Sequence, residues 1–353
     1  MRLWEKNIRQ VVPYVPGEQP AGDKIVKLNT NENPYPPAPG VKKVLEEMEA
    51  DRLRKYPDPT ASILVKELAS YYGLNEDQVF VGVGSDDVLA MSFLTFFNSD
   101  KPVLFPDVTY SFYKVWADLF KVPFETPVLK EDFTIDVKDY EKENGGVIFP
   151  NPNAPTGVYM PLDQVEEILK ANQDVVVIVD EAYVDFAGPS ALELLDKYEN
   201  LLVVQTFSKS RSMAGMRIGF AMGHPDLIRA LNDVKYSYNS YTMNLPSLLA
   251  GVEAVKDKEY FEKTIEKIVA TREHAKKRLT ELGFTFPNSQ SNFIFASHKS
   301  VPAEKIFEAL KKEQIYVRYF KTPGLDNSLR ISIGTDEEMD TLFRFLEAYL
   351  PNA

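Results

Sequence analysis

Lys209 sits in the string Thr206-Phe207-Ser208-Lys209-Ser210-Arg211, which closes an apolar run, and Arg217 follows shortly after. A lysine after a strand is ordinarily a solvated surface residue. Here it lies among hydroxyls and further cations, and an amine near other cations in a dry pocket has a lowered pKa and becomes a usable nucleophile. The run Val175–Val179 (VVVIV) ends in Asp180-Glu181-Ala182-Tyr183. An aspartate there commonly serves as a turn residue or helix cap; its other use is to face a cationic heterocycle from the sheet edge.

Two more strand ends carry chemistry. Gly82-Val83-Gly84-Ser85-Asp86-Asp87 runs into a helix. Small residues let backbone approach a ligand, and the free N–H groups of a helix start attract phosphate. Glycine turns after strands are common in other settings too. The string is not a dinucleotide fingerprint, because the last glycine of G-x-G-x-x-G is missing. Asn151-Pro152-Asn153-Ala154-Pro155-Thr156-Gly157 follows Phe149. Two prolines and a glycine make a rigid turn, but a plain turn has no need of Asn153 ahead of that aspartate and lysine. In this order the groups describe a site for pyridoxal phosphate: a phosphate cradle, a ring-stacking aromatic, an asparagine, an aspartate, then a lysine and an arginine.

The elements that must hold these groups are legible as a pattern. Short apolar runs at Val79–Val83, Pro102–Phe105, Val147–Phe149, Val175–Val179, Leu201–Thr206 and Ile218–Met222 read as strands. Helical segments such as Ser62–Tyr72, Leu162–Ala171 and Ala191–Tyr198 fall between or before them. That alternation predicts a largely parallel α/β sheet covered by helices, and ligands in such sheets bind beyond the carboxyl ends of the strands. After about Tyr241 a charged helix, Lys258 to Leu282, leads to short strands (Phe293–Ala296, Leu329–Ile333) mixed with helices (Ala303–Glu313, Asp336–Leu350). The reading is an N-terminal arm over 1–38 that packs partly with the small domain, a large cofactor-binding domain over 39–245 and a smaller α+β domain over 246–353.

Composition narrows the classes. The 353 residues are 44% hydrophobic and 26% charged, enough to bury a large core. There are no cysteines, which excludes disulfides, thiolate metal sites and a cysteine nucleophile. The three histidines are scattered and none pairs with another at metal-ligand spacing, so no metal is expected. A net charge of −12 argues against nucleic acid, which calls for a basic face. No stretch approaches the ~20 apolar residues of a membrane span, and no signal peptide is visible at the start. A cytoplasmic protein is the expectation.

The strings NENPYPP, KYPDP, GVGSDD, DVTYSFY, NPNAPTG, DEAYVDF, TFSKSRSMAGMRIG and LRISIG cover essentially the whole chain. In them the sequence resembles fold-type I aminotransferases and, within these, the histidinol-phosphate aminotransferase family. The resemblance implies pyridoxal 5'-phosphate as cofactor, with Lys209 bonding it covalently and then moving the proton. It implies that Asp180 keeps the pyridine nitrogen protonated, that Tyr183 and Asn153 bond the phenolic oxygen, and that Tyr110 stacks on the ring. Ser85, Asp86, Ser208 and Arg217 would hold the phosphate. Tyr56 matches a tyrosine that reaches the cofactor phosphate of the neighbouring subunit, so a homodimer with shared sites is implied. Arg330 matches the carboxylate-binding arginine of the superfamily, Arg318 the additional arginine used for a substrate phosphate, and Tyr14 a substrate contact from the arm. The small-molecule substrates implied are histidinol phosphate and glutamate or 2-oxoglutarate, in histidine biosynthesis. An aromatic amino-acid aminotransferase and a threonine-phosphate decarboxylase are the alternatives of the same fold. Glu32 receives no chemical role, only that of fixing the arm.

Overall fold

A computed structural model describes residues 2–22 and 25–353. In chain order it runs through β1 (Val26–Leu28), α1 (Pro39–Glu47), α2 (Ser62–Tyr72), β2 (Val79–Gly82), α3 (Ser85–Phe96) and β3 (Val103–Leu104). Next come α4 (Phe112–Phe120), β4 (Phe124–Glu125), β5 (Gly146–Pro150), α5 (Leu162–Ala171), β6 (Val177–Asp180), β7 (Leu201–Thr206) and β8 (Gly219–Gly223). Then follow α6 (Pro225–Tyr238), α7 (Leu245–Lys256), α8 (Lys258–Glu281), β9 (Phe284–Thr285) and β10 (Phe293–His298). The chain closes with α9 (Ala303–Lys312), β11 (Ile315–Tyr319), β12 (Leu329–Ser332) and α10 (Asp336–Tyr349).

The large sheet has seven strands in the order β2-β8-β7-β6-β5-β3-β4. All its pairings are parallel except those of β8, which runs antiparallel to both β2 and β7. Every residue of β5 to β8 is buried, which is why these strands read as unbroken apolar runs. Successive side chains serve opposite faces. Val177, Val179, Leu201 and Val203 enter one core, packed with residues of α1, α2, α5 and α7. Ile178, Leu202 and Val204 enter the other, packed with α3, α4 and α6. The predicted fold class is therefore the observed one.

The second sheet has five strands in the order β1-β11-β12-β10-β9 and packs its own core with α8, α9 and α10. Its edge strand β1 comes from the arm and pairs Val26 with Ile315 in parallel. The arm thus belongs partly to the small sheet. It also touches the large domain, where Tyr14 stacks on Phe112 with ring centroids 4.2 Å apart.

Two sequence expectations change. The segment Ala191–Tyr198 forms only a short 3-10 turn over Ala191–Leu194. The division expected at 246 falls inside α7, whose Leu248, Ala250, Ala254 and Val255 lie in the large-sheet core. That helix packs on α1 and α2, so it belongs with the large domain. The crossing is made by α8, which sets Tyr260 against the large core and Ile268, Ala275 and Leu279 in the small one.

Candidate active site

The ends of β2, β5, β6 and β7 open onto a cavity of about 290 Å³ at the junction of the two sheets. Ser85, Asp86, Tyr110, Asp180, Tyr183, Ser208, Lys209 and Arg217 line it from the large domain. Arg318 and Arg330 line it from the small sheet, and Tyr14 from the arm. Eleven of the thirteen residues singled out in the sequence therefore meet in one place. Asn153 and Tyr56 are the two that do not line it.

Asp180 ends β6 and is 4% exposed. Its Oδ2 accepts a hydrogen bond from the Tyr113 hydroxyl at 2.8 Å, and its Oδ1 one from the Ala182 amide at 3.2 Å. Burial nevertheless pushes its carboxyl up to about 6, with the Asp86 charge adding to the effect. No cation pairs with it among the described residues. Lys209 stands in the same cavity, its Nζ donating to the Thr30 carbonyl at 3.0 Å and lying 5.8 Å from the Tyr183 ring centroid.

The phosphate-cradle expectation has a structural basis. Gly84 has φ +84°, and a Cβ there would lie 2.5 Å from Arg217 Nη2, so only glycine lets that guanidinium sit against the turn before α3. Gly219 on β8 is bound as tightly, since its Cβ would meet Ser85 N at 2.3 Å. The free N–H groups of α3 and the Arg217 guanidinium thus converge on the cavity. The Asp86 carboxylate does not point at a ligand: it accepts from the Tyr110 hydroxyl at 2.7 Å and lies 3.6 Å from Arg217. Burial, then Asp86, holds the Tyr110 phenol well above its ordinary pKa, so it stays a donor. The Ser208 hydroxyl accepts from Thr206 Oγ1 at 3.0 Å, which leaves its own hydrogen for a ligand.

Asn153 is buried, and its Nδ2 donates to the Val108 carbonyl at 3.0 Å and to Thr156 Oγ1 at 3.1 Å. Its Oδ1 has no partner. As placed, the amide offers an acceptor, not a donor. Tyr56 is 81% exposed, stacks on Tyr241 with centroids 4.6 Å apart, and does not line this chain's own cavity.

On the small-sheet side, Arg318 on β11 and Arg330 on β12 are directly paired across the ladder. Arg318 donates to the Pro16 and Val15 carbonyls at 3.4 and 3.3 Å. Arg330 donates to the Asn29 carbonyl at 3.2 Å, lies over the rings of Phe293 and Phe320, and keeps a buried Nε without a partner. Burial draws its pKa down.

Several site residues were not picked out in the sequence. Tyr113, one helical turn past Tyr110, is fully buried and grips Asp180; its place in DVTYSFY was the available signal. Asn29, Thr30 and Asn31 each hold a functional side chain, although in the sequence they fall in the N-terminal arm and the string NENPYPP carries only the resemblance. Glu32 pairs with Lys27 and accepts from Thr30 Oγ1 at 2.7 Å, fixing that turn as expected.

Pyridoxal phosphate fits these residues on this chain's own chemistry. A buried carboxylate without a cation suits a protonated pyridine nitrogen. A helix start with an adjacent arginine suits a phosphate, and an amine in the same cavity suits an aldehyde.

The family model for aminotransferases of class I and II matches residues 23–346. A histidinol-phosphate aminotransferase of Clostridium acetobutylicum is 53% identical over 338 residues, 96% of each chain. One of Brachyspira hyodysenteriae is 51% identical over 345 residues, 98% of each. Among solved structures, the histidinol-phosphate aminotransferase of Sinorhizobium meliloti in complex with pyridoxal-5'-phosphate superposes with a TM-score of 0.82 at 25% identity. That match covers 92% of this chain and 89% of the other.

Proposed function

Because the chain belongs to the class I and II aminotransferases, and among them to the histidinol-phosphate aminotransferases, we propose that it moves the amino group of histidinol phosphate to 2-oxoglutarate. The products are imidazole acetol phosphate and glutamate, in a reversible step of histidine biosynthesis. The observation that carries this reading is the opposed pair Arg318 and Arg330 lining the same cavity as Asp180 and Lys209. Two planar guanidiniums match the oxygens of a phosphate dianion, and they also suit the carboxylates of glutamate.

Bound pyridoxal phosphate supplies an aldehyde that takes up the amino group and a protonated ring that accepts the electron pair freed at the substrate carbon. The remaining work falls to the chain. Asp180, ionised, holds the proton on the ring nitrogen. Lys209 Nζ would take the proton from the substrate carbon and return it two atoms away, on the far side of the transferred nitrogen. Tyr183 holds the phenolic oxygen, and Asn153 joins it once its amide turns to present Nδ2. Tyr110 covers the ring, while Ser85, the Asp86 amide, Ser208 and Arg217 hold the phosphate. Tyr14 closes the substrate side from the arm.

The reading extends to a cytoplasmic homodimer with shared sites. Tyr56 and Tyr241 form an exposed stacked pair, and Tyr56 would reach the site of a second copy from there. No helix among the described residues is long and apolar enough to cross a membrane.

The test is a half-reaction followed by absorbance. Protein loaded with pyridoxal phosphate is mixed with histidinol phosphate alone, and the visible band of the cofactor is followed as it gives way to that of the aminated form. Phenylalanine, tyrosine and threonine phosphate are run alongside. Fast conversion with histidinol phosphate and slow conversion with the others is the expected result. Faster conversion with an aromatic amino acid, or loss of carbon dioxide from threonine phosphate, would replace the substrate assignment.

A further inference from the structure

Three consecutive arm residues each hold a different functional side chain. Arg330 Nη2 donates to the Asn29 carbonyl at 3.2 Å, Lys209 Nζ to the Thr30 carbonyl at 3.0 Å, and Asn31 Nδ2 to the Tyr183 hydroxyl oxygen at 2.9 Å. In the first two the arm accepts. In the third it donates, and that direction can be derived.

The backbone N–H of Asn31 can only donate, and its acceptor is Ser332 Oγ at 2.9 Å. The hydrogen of the Ser332 hydroxyl is then free for another acceptor, and it goes to Asn31 Oδ1 at 3.1 Å. The carbonyl end of the amide therefore faces Ser332 and its amino end faces Tyr183. The Asn31 carbonyl is itself held by Asn292 Nδ2 at 2.9 Å. Asn31, Asn292 and Ser332 are 1%, 0% and 2% exposed, so water does not compete for these bonds. Asn31 has φ +56°, a left-handed conformation that asparagine tolerates better than most residues.

A phenol oxygen that accepts from an amide still has its own hydrogen to place. Tyr183 donates to no group among the described residues, and it lines the cavity. We propose that Asn31 is a positioning residue that fixes Tyr183 as a hydrogen-bond donor to the phenolic oxygen of the cofactor, through the relay Ser332–Asn31–Tyr183. The inference rests on the reading of Tyr183 as the group on that oxygen. Because each member of the relay polarises the next, the bond Tyr183 donates is strengthened by the one it accepts.

The test is the pH titration of the cofactor's visible band in the loaded protein, which reads the electronics of the site independently of turnover. A bond donated to the phenolic oxygen favours the form in which that oxygen carries full negative charge, so losing the bond raises the midpoint. Tyr183→Phe should raise it by about half to one pH unit. Asn31→Gly accepts the left-handed backbone and deletes only the amide, and it should raise the midpoint by a smaller amount. In the double variant the shift should equal that of Tyr183→Phe alone, because Asn31 acts only through Tyr183. Ser332→Ala reads the relay from its other end and should behave as Asn31→Gly does, which keeps the test available if Asn31→Gly does not fold. Additive shifts, or none in either relay variant while Tyr183→Phe shifts, would overturn the relay and leave the Tyr183 reading intact. An unmoved midpoint in Tyr183→Phe would remove the Tyr183 reading and the relay together.

Discussion

Arg318 and Arg330 are direct partners across the antiparallel pair β11–β12. Opposed residues in such a ladder project to the same face with Cβ atoms about 5 Å apart. Two guanidiniums are therefore held together by the register of a sheet, against their repulsion. Burial, with Arg318 contributing, already lowers the pKa of Arg330. A dianion bound between them would relieve that repulsion.

Arg318→Ala should therefore lower kcat/KM for histidinol phosphate by roughly 10- to 100-fold, the worth of one or two charge-assisted hydrogen bonds. For phenylalanine, which carries no phosphate, the loss should stay within a few-fold. Equal losses on both substrates would show that this arginine does not select phosphate.

Cofactor affinity should depend on the ionisation of Asp180. Only the carboxylate attracts a protonated ring nitrogen, and in the free chain burial sets its pKa at about 6. Binding of pyridoxal phosphate should accordingly weaken as pH falls through about 6. Asp180→Asn should bind weakly at all pH values and lose the step. Equilibrium dialysis between pH 5 and 8 measures both, and a step that persists in Asp180→Asn would assign the titration to another group.

Glu181 predicts a pH effect on stability that has nothing to do with the cofactor. Its carboxyl accepts from Ser190 Oγ, the Ala191 amide and Gln205 Nε2, at 2.5, 2.6 and 2.9 Å, yet burial raises its pKa to about 7. A group with a raised folded pKa binds protons more tightly in the folded state. Its stabilisation is complete below its unfolded value near 4.5 and is lost as pH rises through about 7. Glu181→Gln should flatten the fall in Tm of the cofactor-free protein across that window. An unchanged slope would place Glu181 outside the titration.

Gly84→Ala tests the cradle. The substitution strains a residue at φ +84° and drives a methyl into Arg217. Pushing the Arg217 guanidinium aside removes a charge-assisted hydrogen bond to the phosphate, worth about 1.5–3 kcal/mol, or roughly ten- to hundredfold weaker cofactor binding. Thermal stability without cofactor should fall as well, and wild-type affinity in this variant would mean that Arg217 swings away freely.

Phe112→Ala tests the arm. Tyr14 lies on Phe112, which in turn stacks on Trp116 with centroids 5.0 Å apart. A stacked aromatic pair contributes about 0.5–1.5 kcal/mol, so KM for histidinol phosphate should rise several-fold with kcat little changed. A fall in kcat alone would place Phe112 in the chemistry and not in holding Tyr14.

The groups around Lys209 were legible in the sequence because an α/β chain delivers each strand end to the same edge of one sheet. The order glycine turn, Asn153, Asp180, Lys209 is then a spatial list as well as a linear one. The continuous apolar runs of β5 to β8 were legible for a related reason, since burial on both faces leaves no room for polar alternation. Tertiary structure decided the rest. The three-residue strand β1 has no local signal, and it exists because Val26–Leu28 finds an open edge on β11, nearly the whole chain away. That pairing places Asn29, Thr30 and Asn31 beside Arg330, Lys209 and Tyr183, and two of these contacts use main-chain carbonyls that every residue possesses. The placement of α7 with the large core, and of Tyr113 behind Asp180, likewise follows from which faces remained to be covered. Residue types and their spacing encode which groups can do chemistry, but the partners that orient them are set by the packing of two sheets, and no local pattern records that.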